Sequence, residues 1–175
     1  NMLGQSILAE RSGFNGVVST TNTYNIKGQL VKTTQTGSAP ILYEYDALGN
    51  VFRQGLDVDN SGTLELAGND QISETETNLT STWVSLTQKV YGKSGNNAAT
   101  VVSVQKRRVS GFSNNLTAES QSTDIYGNTT VQTQTVDRNA KTVTVNQLSP
   151  ASTVSQQIVT VNGLKVSQRS EPNLT

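Results

Sequence analysis

The chain has 175 residues, 33% of them apolar, 5% aromatic and 15% charged, and its 13 basic and 13 acidic residues cancel to zero net charge. Having no His and no Cys, it excludes imidazole bases, thiolate nucleophiles, disulfides and nitrogen- or sulfur-ligated metals, leaving only a hard, oxygen-ligated cation. Ser and Thr contribute 43 residues; low apolarity without net charge, with β-branched residues dominant, predicts a polar, thinly cored β structure rather than disorder.

No apolar run approaches the roughly 18 residues of a membrane helix. The opening Asn1-Met2-Leu3-Gly4 has neither signal-peptide nor basic targeting character. With the polar end Asn173-Leu174-Thr175, it suggests a piece of a longer chain. One module over 1–175 is expected at this length.

Taken in chain order, period-two alternation predicts strands over Gly16–Tyr24, Gln29–Thr36, Ile41–Tyr45 and Asn50–Gln54. It continues over Thr82–Tyr91, Thr100–Val109, Leu116–Asp124, Thr129–Val136, Lys141–Gln147 and Ser155–Val161. Turn formers separate them: Asn25-Ile26-Lys27-Gly28, Ala47-Leu48-Gly49-Asn50, Tyr126-Gly127-Asn128, Arg138-Asn139-Ala140 and Asn162-Gly163. Asn and Gly pairs supply the positive φ that tight hairpins require. Only Ala67–Glu76 reads as a helical turn. The fold class is all-β, with antiparallel β-hairpin repeats forming a sheet or a partial spiral or barrel wall.

The turns repeat. Tyr24-Asn25-Ile26-Lys27-Gly28-Gln29-Leu30-Val31-Lys32 aligns with Tyr45-Asp46-Ala47-Leu48-Gly49-Asn50-Val51-Phe52-Arg53 at an offset of 21 residues. Thr123–Thr129 fits the frame with Thr in the Tyr slot, and Val136–Thr142 fits with Ala140 in the Gly slot. In each copy Asp or Asn is expected to bond the turn backbone and Gly to take the left-handed position. The aromatic would close the incoming strand and pack across the sheet.

These residues resemble the YD-repeat, or Rhs-repeat, family, whose signature is Tyr-Asp before a Gly-centred turn, as in Tyr43-Glu44-Tyr45-Asp46-Ala47-Leu48-Gly49-Asn50-Val51. Gly55–Ala67 also looks like a segment that follows such a repeat in large bacterial members. The resemblance implies a β-strand ribbon in a very large secreted or cell-surface protein, including toxin-encapsulating and adhesive ones, with neighbouring repeats as its partners. On that frame, 1–54 holds the YD-like hairpins, 55–76 an acidic insertion and 77–175 further hairpins.

The insertion carries the one constellation with chemistry. Eight acids lie between Glu44 and Glu76 against Arg53 alone. Asp57, Asp59 and Ser61 occupy positions 1, 3 and 5 of a calcium loop, with Gly62 at 6 for the sharp bend. The Thr63 carbonyl would be the position-7 ligand and Glu65 the position-9 ligand. Gly68 stands where an EF-hand has its bidentate Glu, so Asp70 or Glu74 would close the shell. A structural Ca2+ is expected; an acidic turn that binds nothing is the alternative.

Other patterns carry less. Glu44 and Asp46 read as solvated carboxylates rather than a glycosidase pair. Lys106-Arg107-Arg108 reads as protection of a sheet edge, since nucleic-acid binding needs a broad basic face or stacking aromatics. Ser103-Val104-Gln105-Lys106 spells a Ser-x-x-Lys acylase pattern, but in a strand rather than at a helix start. Trp83, Phe52, Tyr45, Tyr91 and Phe112 are the expected thin core. The expected function is a non-enzymatic, extracellular or cell-surface structural segment braced by calcium. The alternative is an adhesion module holding a glycan or a surface protein.

Overall fold

The structure, a computed structural model, describes residues 4–14, 16–92, 97–111, 114–150, 153–160 and 164–172. Among these there is no helix, and thirteen strands run in chain order. They are β1 (Leu8–Gly13), β2 (Gly16–Tyr24), β3 (Leu30–Gln35), β4 (Ile41–Tyr45), β5 (Val51–Leu56), β6 (Gln71–Leu79) and β7 (Val84–Tyr91). Then follow β8 (Ala99–Ser110), β9 (Asn115–Thr123), β10 (Thr129–Asp137), β11 (Thr142–Leu148), β12 (Thr153–Thr160) and β13 (Lys165–Pro172). The chain divides into two compact units, one of Asn1–Glu76 with Gln88–Thr100, the other of Thr77–Thr87 with Val101–Thr175. In each, strands adjacent in sequence are antiparallel neighbours in the sheet.

The expected alternation is realised with two additions and one correction. β1 and β13 fall where no strand was expected. The Ala67–Glu76 helical turn is replaced by a strand from Gln71 onward. In the sequence Gln71-Ile72-Ser73-Glu74-Thr75-Glu76, the even-numbered side chains form one face. That face carries Glu74 opposite Arg53, so cross-strand ion pairing favours extended backbone over a helix. Asn162-Gly163 and Phe112 lie outside the described residues.

In the first unit, register places Glu44, Arg53 and Glu74 side by side across β4, β5 and β6. Arg53 reaches Glu44 Oε2 at 2.8 Å and Glu74 Oε2 at 2.6 Å. Lys89 continues the ladder to Glu74 at 3.7 Å and also pairs with Glu76. Glu44 is thus an ion-pair partner rather than a solvated acid. One residue pair along the same face, Leu42, Ile72 and Tyr91 are buried with Leu64 as the apolar core, and Leu66 packs against it. Of the expected core aromatics only Tyr91 is buried; Tyr45, Phe52 and Trp83 are half-buried.

The second unit has no buried residue among those described. Its strands rely on ladder bonds and polar cross-strand pairs, such as Thr117 with Thr135 at 3.1 Å and Gln156 with Asn146 at 2.8 Å. The basic run does not guard an edge: β8 pairs with β9 along Val104–Ser110 and stands inside the strand order. Arg108 bonds Glu119 at 2.5 Å and covers the Trp83 ring at 4.5 Å from its centroid, a cation–π contact.

Candidate functional site

Two local designs carry the site: the repeat turns and the acidic insertion. In the turns, the Asn or Asp side-chain oxygen accepts backbone N–H groups two and four residues on. Asn25 Oδ1 takes Lys27 N and Gln29 N at 2.9 and 3.0 Å. Asp46 Oδ1 takes Leu48 N and Asn50 N at 2.9 and 2.8 Å, and Asp124 Oδ1 takes Tyr126 N and Asn128 N at 2.8 and 2.9 Å. Gly28, Gly49 and Gly127 have φ of 78°, 89° and 83°. The backbone N–H of Asn50, then its side-chain amide, lowers the Asp46 carboxyl below the usual range. For Asp124 the Asn128 side chain is the leading cause of the same shift.

The fourth copy departs. Asp137 accepts from Asn139 N and Ala140 N, and the left-handed residue is Lys141, φ 53°, one position after the expected Ala140 slot. Ala has no advantage at positive φ, so the turn lengthens by a residue.

The aromatic slot works as a latch between repeats. Tyr45 Oη donates to Leu30 O at 2.7 Å and Tyr24 Oη donates to Ser6 O at 3.0 Å. Leu30 lies two residues after Gly28, and Ser6 two after Gly4, whose φ is 71°. Gln5 Nε2 also donates to Gly28 O at 2.7 Å, and Gln29 Nε2 would lie 3.2 Å from a Cβ on Gly49. Gly4-Gln5 therefore stands to Tyr24 as Gly28-Gln29 stands to Tyr45. Sequence reasoning missed this correspondence, although Asn1-Met2-Leu3-Gly4-Gln5 has the same spacing. In the later copy with Thr123 in the Tyr slot, a Thr123–Thr129 hydroxyl pair at 2.8 Å stands instead.

The insertion, 57–70, folds back on itself. Asp57 is 0% exposed and Asp70 2%. Asp57 Oδ1 accepts Ser61 N at 2.9 Å and Oδ2 accepts Gly62 N at 2.9 Å. Asp70 Oδ1 accepts Val58 N at 2.8 Å and Oδ2 accepts Glu65 N at 3.0 Å. Asn60, φ 59°, and Gly62, φ 87°, make the bend.

One carboxylate oxygen each from Asp57, Asp59 and Asp70 lie within 4.8 Å of one another. Ser61 Oγ bonds Glu65 Oε1 at 2.8 Å and Thr63 O at 3.2 Å, and Thr63 Oγ1 also bonds Glu65 Oε1. Glu65 Oε2 is buried without a hydrogen-bond partner. Bonds from Thr63 and Ser61 hold the Glu65 carboxyl below its usual range, whereas burial raises that of Asp70. The donor set is entirely oxygen, which suits a hard cation such as calcium. Gly68 supplies no side chain; its N–H closes a turn onto Glu65 O at 3.0 Å. Glu74 is engaged by Arg53 and Lys89, which leaves Asp70 as the residue that joins the cluster.

On the opposite face of the first unit lies a depression of about 730 Å3, lined by Tyr43, Gln54, Leu56, Gln71, Ser73 and Val90 among others. Comparison with family models, curated proteins and solved structures finds no match to this chain.

Proposed function

We propose that this chain is a non-enzymatic structural repeat segment of a large secreted or cell-surface protein of the YD-repeat type, braced by one calcium ion. The observation that carries the reading is the inter-repeat latch. Tyr24 and Tyr45 each donate a hydroxyl hydrogen bond to the same carbonyl position of the preceding repeat. A repeat that bonds its predecessor through its signature tyrosine is built to extend a wall. Calcium would be held by Asp57, Asp59 and Asp70, with Ser61, the Thr63 carbonyl and Glu65 completing an oxygen shell, and would offset the repulsion among these carboxylates. Its role there is structural.

Calorimetric titration of the metal-free protein with CaCl2 tests the brace. One calcium per chain, with binding abolished in Asp57→Ala and Asp70→Asn, is the expected outcome; no heat of binding at millimolar calcium removes it. The depression beside Tyr43 favours a second reading, an adhesion module for glycan or protein. Binding on a glycan array that is lost in Tyr43→Ala would promote it.

A further inference from the structure

We propose that the 57–70 insertion is a hinged cap that swings off the sheet as one body and reversibly exposes an apolar patch of Leu42, Ile72 and Tyr91. This goes beyond the calcium reading and does not depend on it.

The cap bonds mostly to itself. Its side-chain bonds are internal: Asp57 to Ser61 and Gly62, Asp70 to Val58 and Glu65, and Ser61 and Thr63 to Glu65. Among the described residues, its one backbone bond to the rest of the unit is at its base, Asp57 N to Pro40 O at 2.9 Å. Everything else that seats it is apolar: Leu64, 8% exposed, packs with Leu42, Ile72 and Tyr91, and Leu66 packs beside it. Lifting the cap therefore keeps nearly all of its own hydrogen bonds. It gives up the burial of Leu64 and of Leu42, Ile72 and Tyr91 beneath it, but keeps the ladder hydrogen bonds that unfolding the sheet would break.

The seat is shaped for this anchor. A Cβ on Gly55 would lie 3.0 Å from Leu64 Cδ2, so the bare backbone of Gly55 is the floor on which Leu64 sits. The patch beneath and its Leu64 anchor are together the whole buried apolar core of the described residues, so exposing it changes the surface character of the unit.

The chain has no cysteine, so Ile72→Cys and Leu64→Cys each introduce a unique thiol, one beneath the cap and one in its anchor. Thiol labelling in chelator and without denaturant is compared with global unfolding measured in urea. The expected result is labelling of both sites at least roughly tenfold faster than global unfolding allows, with little urea dependence. In the unsubstituted protein, hydrogen exchange at the Asp57 amide should show the same opening, which keeps the test independent of either substitution. Labelling and exchange only through global unfolding would overturn the proposal. So would rapid labelling at Leu64→Cys with Ile72→Cys still protected, because the cap would then fray without lifting.

Discussion

Asn25, Asp46 and Asp124 build one turn with two chemistries, an amide oxygen in the first and a carboxylate in the others. Only the carboxylates titrate. Their folded-state values are lowered, so their contribution is complete above the ordinary Asp value of about 3.9 and is lost as pH falls through the lower folded value. Replacing both, Asp46→Asn with Asp124→Asn, should preserve the turns, as Asn25 does. Melting temperature should then fall less steeply than wild type below about pH 4; an unchanged acid limb would show that these turns do not couple to stability. At this scale the sequence was readable wherever a side chain and a glycine fall at fixed spacing. It misled at Lys141, because a backbone turn can absorb one extra residue without any signature in residue type.

Tyrosine latches and the cap decide how strands hold to one another. Tyr45→Phe deletes the donor to Leu30 O while keeping the ring, and should cost about 0.5–1.5 kcal/mol in urea unfolding. No loss would mean that the ring, not the hydroxyl, links the repeats. Gly55→Ala should cost more, about 1–3 kcal/mol, from overpacking. The new Cβ would stand 2.8 Å from Gln71 O and 3.0 Å from both Ile72 Cγ1 and Leu64 Cδ2. A neutral Gly55→Ala would show that Leu64 is not seated as described. Strand existence was legible from alternation, but β6 was not, because its Glu-Thr-Glu pattern makes sense only once Arg53 and Lys89 stand beside it. The core likewise escaped an aromatic count: the cap selects Leu42, Leu64 and Ile72, and no local pattern marks a loop residue as the lid of a distant strand.

For the molecule as a whole, low apolarity resolves into an uneven distribution. The first unit buries a small core under its acidic cap, and the second buries nothing among its described residues. On the proposed reading, a wall that shares its faces with neighbouring repeats would explain that economy, and a bound cation would offset the charge of two buried aspartates beside a buried, unpartnered Glu65 oxygen. The most direct measurement is the melting temperature with saturating calcium and with chelator. At a hundredfold excess over the dissociation constant, binding to the folded state alone adds about 2.7 kcal/mol. The account predicts a clear rise in wild type and none in Asp57→Ala; identical melts of wild type with calcium and with chelator would contradict it.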